Sequence, residues 1–270
     1  MSNRVEKHGE KIVQDTRNLI SLRYHTVTKA VNKEFWNSIS DTLHSLYVGS
    51  YGRNTAINTS DVDILVELPS NLFDHYNNLS GNGQSRLLQV VRNAILNVYP
   101  RSDVRADGQV IKIAFSDGMR FEIVPTFKSI YGGYKYPNTN CGGKWESTNP
   151  KAEQEAMAEK NRSSNGLLYD TCRHIRYIRD NYFSSYHLSG IVIDSFVYEA
   201  IGNWRWPNSG ESSSSPSGTY EQVLLNYYNQ HGICYGVSIN APGSNDTVST
   251  ASSYECLGKV LRYMIGKNND

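Results

Sequence analysis

The chain has 270 residues, of which 39% are hydrophobic and 20% charged, with a formal net charge of +1. That length and apolar content supply a sizeable core, in one large domain or two packed lobes. The near-neutral charge excludes a protein that holds nucleic acid through a global positive field. No run approaches the roughly 18 apolar residues that a membrane span needs.

The N-terminus, Met1 to Asp15, is polar and charged and lacks the apolar core of a signal peptide. Apolar residues at Ile12, Ile20, Val27, Val31 and Phe35 predict a helix over 11–36. Residues 47–50 end a short strand and open a turn. Residues 61–68 form a strand stopped by Pro69-Ser70-Asn71, and 77–85 is a polar loop. Leu87, Leu88, Val91, Ala94, Ile95 and Val98 fall at three-four spacing, an amphipathic helix that ends before Pro100. Strands follow at 103–105, 110–115 and 120–127, the last two joined as a hairpin by Ser116-Asp117-Gly118.

Residues 131–150 are rich in Gly, Asn, Tyr and Pro and read as an ordered loop or lid. Helical pattern resumes at Glu153 and runs to Tyr182, broken at 163–166. Further helices are expected at 191–204 and 220–231, separated by a loop over 208–218 whose Ser212–Ser215 run reads as disordered linker. The expectation is a mixed α+β lobe over 1–150 and a mainly helical lobe over 151–270. Four scattered cysteines (Cys141, Cys172, Cys234, Cys256) contain no Cys-x-x-Cys pair, which points away from zinc and toward reduced thiols in a cytosolic protein.

The chemistry concentrates in Tyr47-Val48-Gly49-Ser50-Tyr51-Gly52-Arg53 and Ser60-Asp61-Val62-Asp63-Ile64-Leu65-Val66. Residues two apart on a strand share a face, so Asp61 and Asp63 stand side by side, roughly 6.5–7 Å apart along the chain. Two such carboxylates repel unless protons or cations neutralise them. Mg²⁺ answers this, because it takes oxygen ligands and shares them with substrate phosphates. Gly49 and Ser50 supply close backbone approach, N–H groups and a hydroxyl, which suit a phosphate. Ser50 can also cap a following helix. A third acid, Glu122, lies amid Phe121, Ile123 and Val124. Buried, it would be costly unless paired or metal-bound; on an edge strand it would simply face water. Both readings stay open.

Together these residues resemble the DNA polymerase β-like nucleotidyltransferase superfamily, whose pattern is Gly-Ser, a spacer, Asp-x-Asp and a later acid on a neighbouring strand. The similarity is greater to the bacterial cGAS/DncV-like nucleotidyltransferases (CD-NTases). Gly49-Ser50-Tyr51-Gly52-Arg53-Asn54-Thr55-Ala56-Ile57, Glu122-Ile123-Val124-Pro125 and Trp145-Glu146-Ser147-Thr148-Asn149-Pro150 match their extended motifs. Residues 168–182 resemble the first helix of their C-terminal lobe. Two departures stand out: the third acid is Glu rather than the commoner Asp, and the helix carries Arg173-His174-Ile175-Arg176 where the family often has Arg-x-x-Lys.

The resemblance implies a nucleotidyltransferase core with a helical C-terminal lobe closing the cleft. It implies two Mg²⁺ ions (or Mn²⁺) on Asp61, Asp63 and Glu122. Gly49, Ser50, Arg53, Arg173 and Arg176 would bind nucleotide, with Arg179 an alternative to Arg176 and a surface ion pair an equal reading for Arg53. The substrates would be NTPs and the products cyclic or linear oligonucleotides for anti-phage signalling in the cytoplasm. A regulatory protein partner fits this family, and stable nucleic-acid binding is not expected. Two other functions stay open: nucleotidyl transfer to an RNA end, protein or small molecule, and a catalytically silent nucleotide sensor. His174 is read as a packing residue and Trp145 as a lid anchor.

Overall fold

The structure is a computed structural model that describes residues 4–7, 12–58, 61–211 and 219–266. The Ser212–Ser215 run lies outside the described residues. The chain divides into two compact units. One comprises Ile12–Gly52 and Asn58–Pro150 and carries the main sheet; the other comprises Met1–Lys11, Arg53–Ile57 and Lys151–Asp270 and is mostly helical. Among the described residues, no helix is long and apolar enough to cross a membrane.

The sheet unit opens with helix α1 (Gln14–Phe35), strand β1 (Ser45–Tyr47) and the one-turn helix α2 (Gly49–Gly52). Strand β2 (Val62–Leu68), α3 (Asn71–Asn77) and α4 (Gly83–Leu96) follow, then β3 (Asp103–Asp107), β4 (Val110–Ala114), β5 (Arg120–Lys128), β6 (Tyr134–Asn138) and β7 (Lys144–Thr148). The strands form one sheet in the order β1-β2-β5-β4-β3, with β6 added to β5 and β7 to β6. Only β2 and β5 run parallel; every other pair in this sheet is antiparallel.

Alternation explains the layering. Val62, Ile64 and Val66 of β2, Phe121 and Ile123 of β5, and Ile111 and Ile113 of β4 are buried in one core with Ile20, Val27 and Val31 of α1 and Leu87, Leu88, Val91 and Ile95 of α4. The residues between them, Asp63, Glu122 and Lys112, therefore occupy the opposite face. Helix α4 starts at an Asn82 cap whose side chain accepts from the Ser85 N–H at 2.9 Å, so it takes in part of the expected loop over 77–85.

Residues 131–150 are not a lid. They form the hairpin β6–β7, which extends the sheet. Their turn chemistry masks the strands, because Pro137 breaks the alternation. Pro137 is tolerated because β6 pairs with β5 only through Tyr134 and Lys135, leaving the later residues at an edge. Pro125 solves the same problem inside β5, lying between the segments that pair with β4 and with β6.

The helical unit contains α5 (Pro150–Ser163), α6 (Leu167–Tyr182), α7 (Gly190–Ala200), α8 (Tyr220–Gln230), the short pair β8 (Ile239–Asn240) and β9 (Thr247–Val248), and α9 (Tyr254–Met264). Helix α9 lies beyond the last expected element; its Leu257, Val260, Leu261 and Met264 are buried at helical spacing. The core joins Leu168, Ile175, Val192, Phe196 and Leu224 to these residues. His174 is buried, as a packing residue should be.

One linked cluster of charged side chains sits inside this unit: Arg176, Asp194, Arg53 and Glu153. Arg176 grips Asp194 as a fork, Nη1 to Oδ1 at 2.7 Å and Nη2 to Oδ2 at 2.9 Å. Arg53 donates from Nε to Asp194 Oδ2 and from Nη1 to Glu153 Oε2, each at 2.9 Å. Thr55 Oγ1 donates to the same Asp194 Oδ2 at 2.9 Å. The Asp194 side chain is 0% exposed. Burial alone would push its carboxyl up, but Arg176 and Arg53 overrule it and hold the group below the ordinary aspartate value. At Glu153 burial prevails over Arg53 and the carboxyl is raised.

Removing one partner from such a cluster strands the others in low dielectric. D194N is expected to lower the unfolding free energy by about 3–5 kcal/mol, measured by urea titration. The two acids also impose opposite pH dependences. For Asp194 the unfolded chain binds more protons in the affected window, so stability falls as pH drops below the ordinary 3.8 toward its folded value. For Glu153 the folded chain binds more, so its contribution is complete below the ordinary 4.5 and is lost as pH rises through the raised value. E153Q should therefore flatten the decline of stability above that pH, in urea titrations repeated across pH.

Candidate active site

The site grows from the junction of β1, α2 and β2. The Val48 N–H donates to the Asp63 carbonyl at 2.9 Å, which brings the Gly-Ser turn onto β2. Gly49 then takes a positive φ of 61° and passes against the Asp63 side chain. A Cβ at Gly49 would coincide with Asp63 Oδ2, so both the conformation and the contact require glycine. Ser50 lies within α2 itself rather than capping it from outside. An aromatic ladder braces this corner: Tyr24 of α1 stacks on Tyr47 at 4.1 Å between centroids, and Tyr47 meets Tyr51 at 4.9 Å. Burial pushes the Tyr47 hydroxyl up, and the neighbouring Tyr51 and Tyr24 add to it.

Register supplies the second acid. In the parallel β2–β5 pair, Asp63 lies directly beside Glu122, a strand spacing of about 4.8 Å away. Glu122 is paired in turn with Lys112 of β4, and Lys112 with Arg105 of β3. One face thus carries the row Asp63, Glu122, Lys112, Arg105. Because β5 is flanked by β2 and β4, Glu122 is not on an edge strand. Its side chain is 31% exposed, and Lys112 Nζ is 3.7 Å from Oε1. Lys112 is held principally by Asp107 at 2.7 Å, which raises its pKa despite the opposing effect of burial. Asp61 is exposed immediately before β2.

The donor chemistry suits a hard divalent ion: carboxylate oxygens on adjacent positions of two central strands. Among the described residues, no three His, Cys, Asp or Glu side chains are gathered closely enough to hold a metal. Asp63 and Glu122 are thus brought together by the fold, while the full triad is not assembled.

The arginines have internal partners: the Arg53 and Arg176 side chains are 7% and 3% exposed and bound to Asp194, with Arg53 also on Glu153. Arg173 is buried and donates from Nη2 to the Asn54 carbonyl at 2.9 Å. Arg179 pairs with Asp180 and donates to the Leu188 carbonyl. Trp145 anchors no lid: it packs on Phe73 and Phe127 and donates to Asn77 Oδ1 at 3.0 Å. Sequence reasoning missed Asp194, although its setting in Ile191-Val192-Ile193-Asp194-Ser195-Phe196-Val197 signals a buried acid in need of a cation.

Known proteins place this architecture. Over 199 residues the chain is 24% identical to a protein named "Probable cyclic nucleotide synthase" of Bacillus cereus (strain VD146), covering 64% of this chain and 58% of the relative. Over 158 residues it is 27% identical to the cyclic AMP-AMP-AMP synthase of an Acinetobacter species, covering 57% and 45%. The matched part thus spans about half the length of these relatives. The fold is that of the Elizabethkingia meningoseptica CdnE cyclic dinucleotide synthase, solved with GTP and Apcpp. The TM-score is 0.63 at 17% identity, over 98% of this chain and 95% of that one. The profile of the Second Messenger Oligonucleotide or Dinucleotide Synthetase domain matches residues 8–161, more than half of the 270, and the chain belongs to that family.

Proposed function

We propose that the protein is a nucleotidyltransferase that joins NTPs into oligonucleotide second messengers, cyclic ones in particular. The observation that carries this is the lateral pairing of Asp63 with Glu122 beneath the Gly49 backbone. The names of the relatives support a cyclic product, and the family resemblance supports a role in anti-phage signalling.

Phosphoryl chemistry asks a protein for positioning and charge neutralisation rather than covalent help. Divalent ions, when bound, would neutralise charge on the attacking and leaving oxygens. In this reading Asp61 and Asp63 would hold one divalent ion and Asp63 with Glu122 a second, supplying charge neutralisation to the reacting phosphate and acceptor. Glu122 would give up its contact with Lys112 to take that role. Gly49 and Ser50 grip the phosphates through backbone N–H and hydroxyl. The acceptor hydroxyl gives its proton to solvent and its oxygen bonds the α-phosphorus, while the bond from that phosphorus to the α–β bridging oxygen breaks and pyrophosphate leaves.

The test is incubation of the purified protein with four labelled NTPs and Mg²⁺ or Mn²⁺, with products resolved by mass. A cyclic product is expected. Pyrophosphate release that needs an added acceptor would replace this reading with transfer to another molecule, and absence of turnover with a silent sensor. Paired D61N and D63N should cut turnover by at least about 100- to 1,000-fold, the scale of losing a principal electrostatic group. E122Q should do likewise with its thermal midpoint retained; undiminished turnover would reduce Glu122 to a partner of Lys112. G49A should both inactivate and destabilise, by more than about 1 kcal/mol, since alanine must adopt the left-handed region and displace Asp63.

A further inference from the structure

The segment that joins the Gly-Ser motif to the Asp-x-Asp motif is built into the helical unit as five residues, Arg53–Ile57. Three consecutive residues of it are held by different side chains. Arg53 is bound by Asp194 of α7 and Glu153 of α5, the Asn54 carbonyl by Arg173 of α6, and the Thr55 hydroxyl by Asp194 again. One oxygen, Asp194 Oδ2, accepts from both Arg53 and Thr55, and its orientation is set by the Arg176 fork. Asn54 between them has a φ of 60°, a conformation that costs free energy and persists where its surroundings over-determine it.

A buried charge cluster is a poor way to gain stability, since apolar residues of the same volume often do as well or better. What it offers is a fixed geometry, because a fork and a carboxylate lock one another's orientation. The bonds here fall on a short connector whose two ends run directly into Gly52 and Asn58, and from there to Ser50 and Asp61. The geometry points to Asp194 as a positioning residue for the reaction. It fixes the Arg53–Thr55 connector and so restrains the chain ends that carry the phosphate-gripping and metal-holding groups. Arg53, Thr55 and Glu153 act with it. This inference rests on the reading of Ser50, Asp61 and Asp63 as a nucleotidyl-transfer centre.

Because D194N is expected to destabilise the helical unit strongly, the decisive variants are milder. R53K keeps the charge but loses the fork that reaches two carboxylates. T55V keeps the branched shape and loses only the hydroxyl. Two readings are taken on the full chain: hydrogen–deuterium exchange by peptide, and steady-state kinetics with the labelled NTPs. Both variants should exchange faster in peptides covering residues 49–58, with α5, α6 and α7 still protected. Both should lose kcat by up to about 100-fold while KM changes little, the effect of a small misplacement at the reacting centre. Unchanged exchange over 49–58, or faster exchange spread across the helices, would overturn the inference. Should the wild type turn over no NTP, the proposed function falls, and the location of the exchange change still decides whether Asp194 holds the connector.

Discussion

The parallel pairing of β2 with β5 is the constraint on which the sheet unit depends. Seven residues of each strand are matched, from Val62 with Phe121 to Leu68 with Phe127. The same register that buries Ile64 against Ile123 sets Asp63 beside Glu122. A slip of one residue would turn every side chain of a strand to the other face, driving carboxylates into the core and isoleucines out of it. The hydrophobic core therefore specifies the polar row without any direct attraction between the acids. Their mutual repulsion is a local cost that the buried face of the same strands sustains, and Lys112 in the next strand offsets part of it.

The helical unit solves a different problem by a different means. Its apolar residues bury α6 against α7 and α9, yet the linked charges of Arg53, Arg176, Glu153 and Asp194 are placed among them. Such groups contribute definition rather than net stability: four hydrogen bonds reach Asp194 from three side chains, so only one arrangement satisfies it. The segment so defined, Arg53–Ile57, directly follows the Gly49-Ser50 turn in sequence.

Much of this was legible in the chain itself. Three-four spacing marks α1, α4 and α6, and alternation marks β2, β4 and β5, because each buries one face against a single core. The Asp-x-Asp pair is visible for the same reason, as charge interrupting an apolar strand. The hairpin β6–β7 is hidden because edge positions tolerate Pro137 and because its outer residues need no alternation. The roles of Arg53 and Arg176 are hidden for another reason. Charge in a motif reads as solvent-facing until its partner is known, and the partner, Asp194, lies 141 residues from Arg53. Glu122 lies between these cases: sequence shows an acid in an apolar strand, and only the strand order removes the edge-strand alternative.

The exposure of Lys112 has a consequence for how the protein meets its medium. Its side chain is 47% exposed and its partner Glu122 is 31% exposed, whereas Asp194 is out of contact with solvent. Mobile ions screen charges near water over a distance of about 8 Å at physiological ionic strength and act far less on buried pairs. Added salt therefore loosens the lysine from the glutamate while leaving the internal arginine–carboxylate cluster intact. The two halves of the electrostatic design answer to different variables: the row on the sheet to the ionic composition of the solution, the cluster among the helices to its acidity alone.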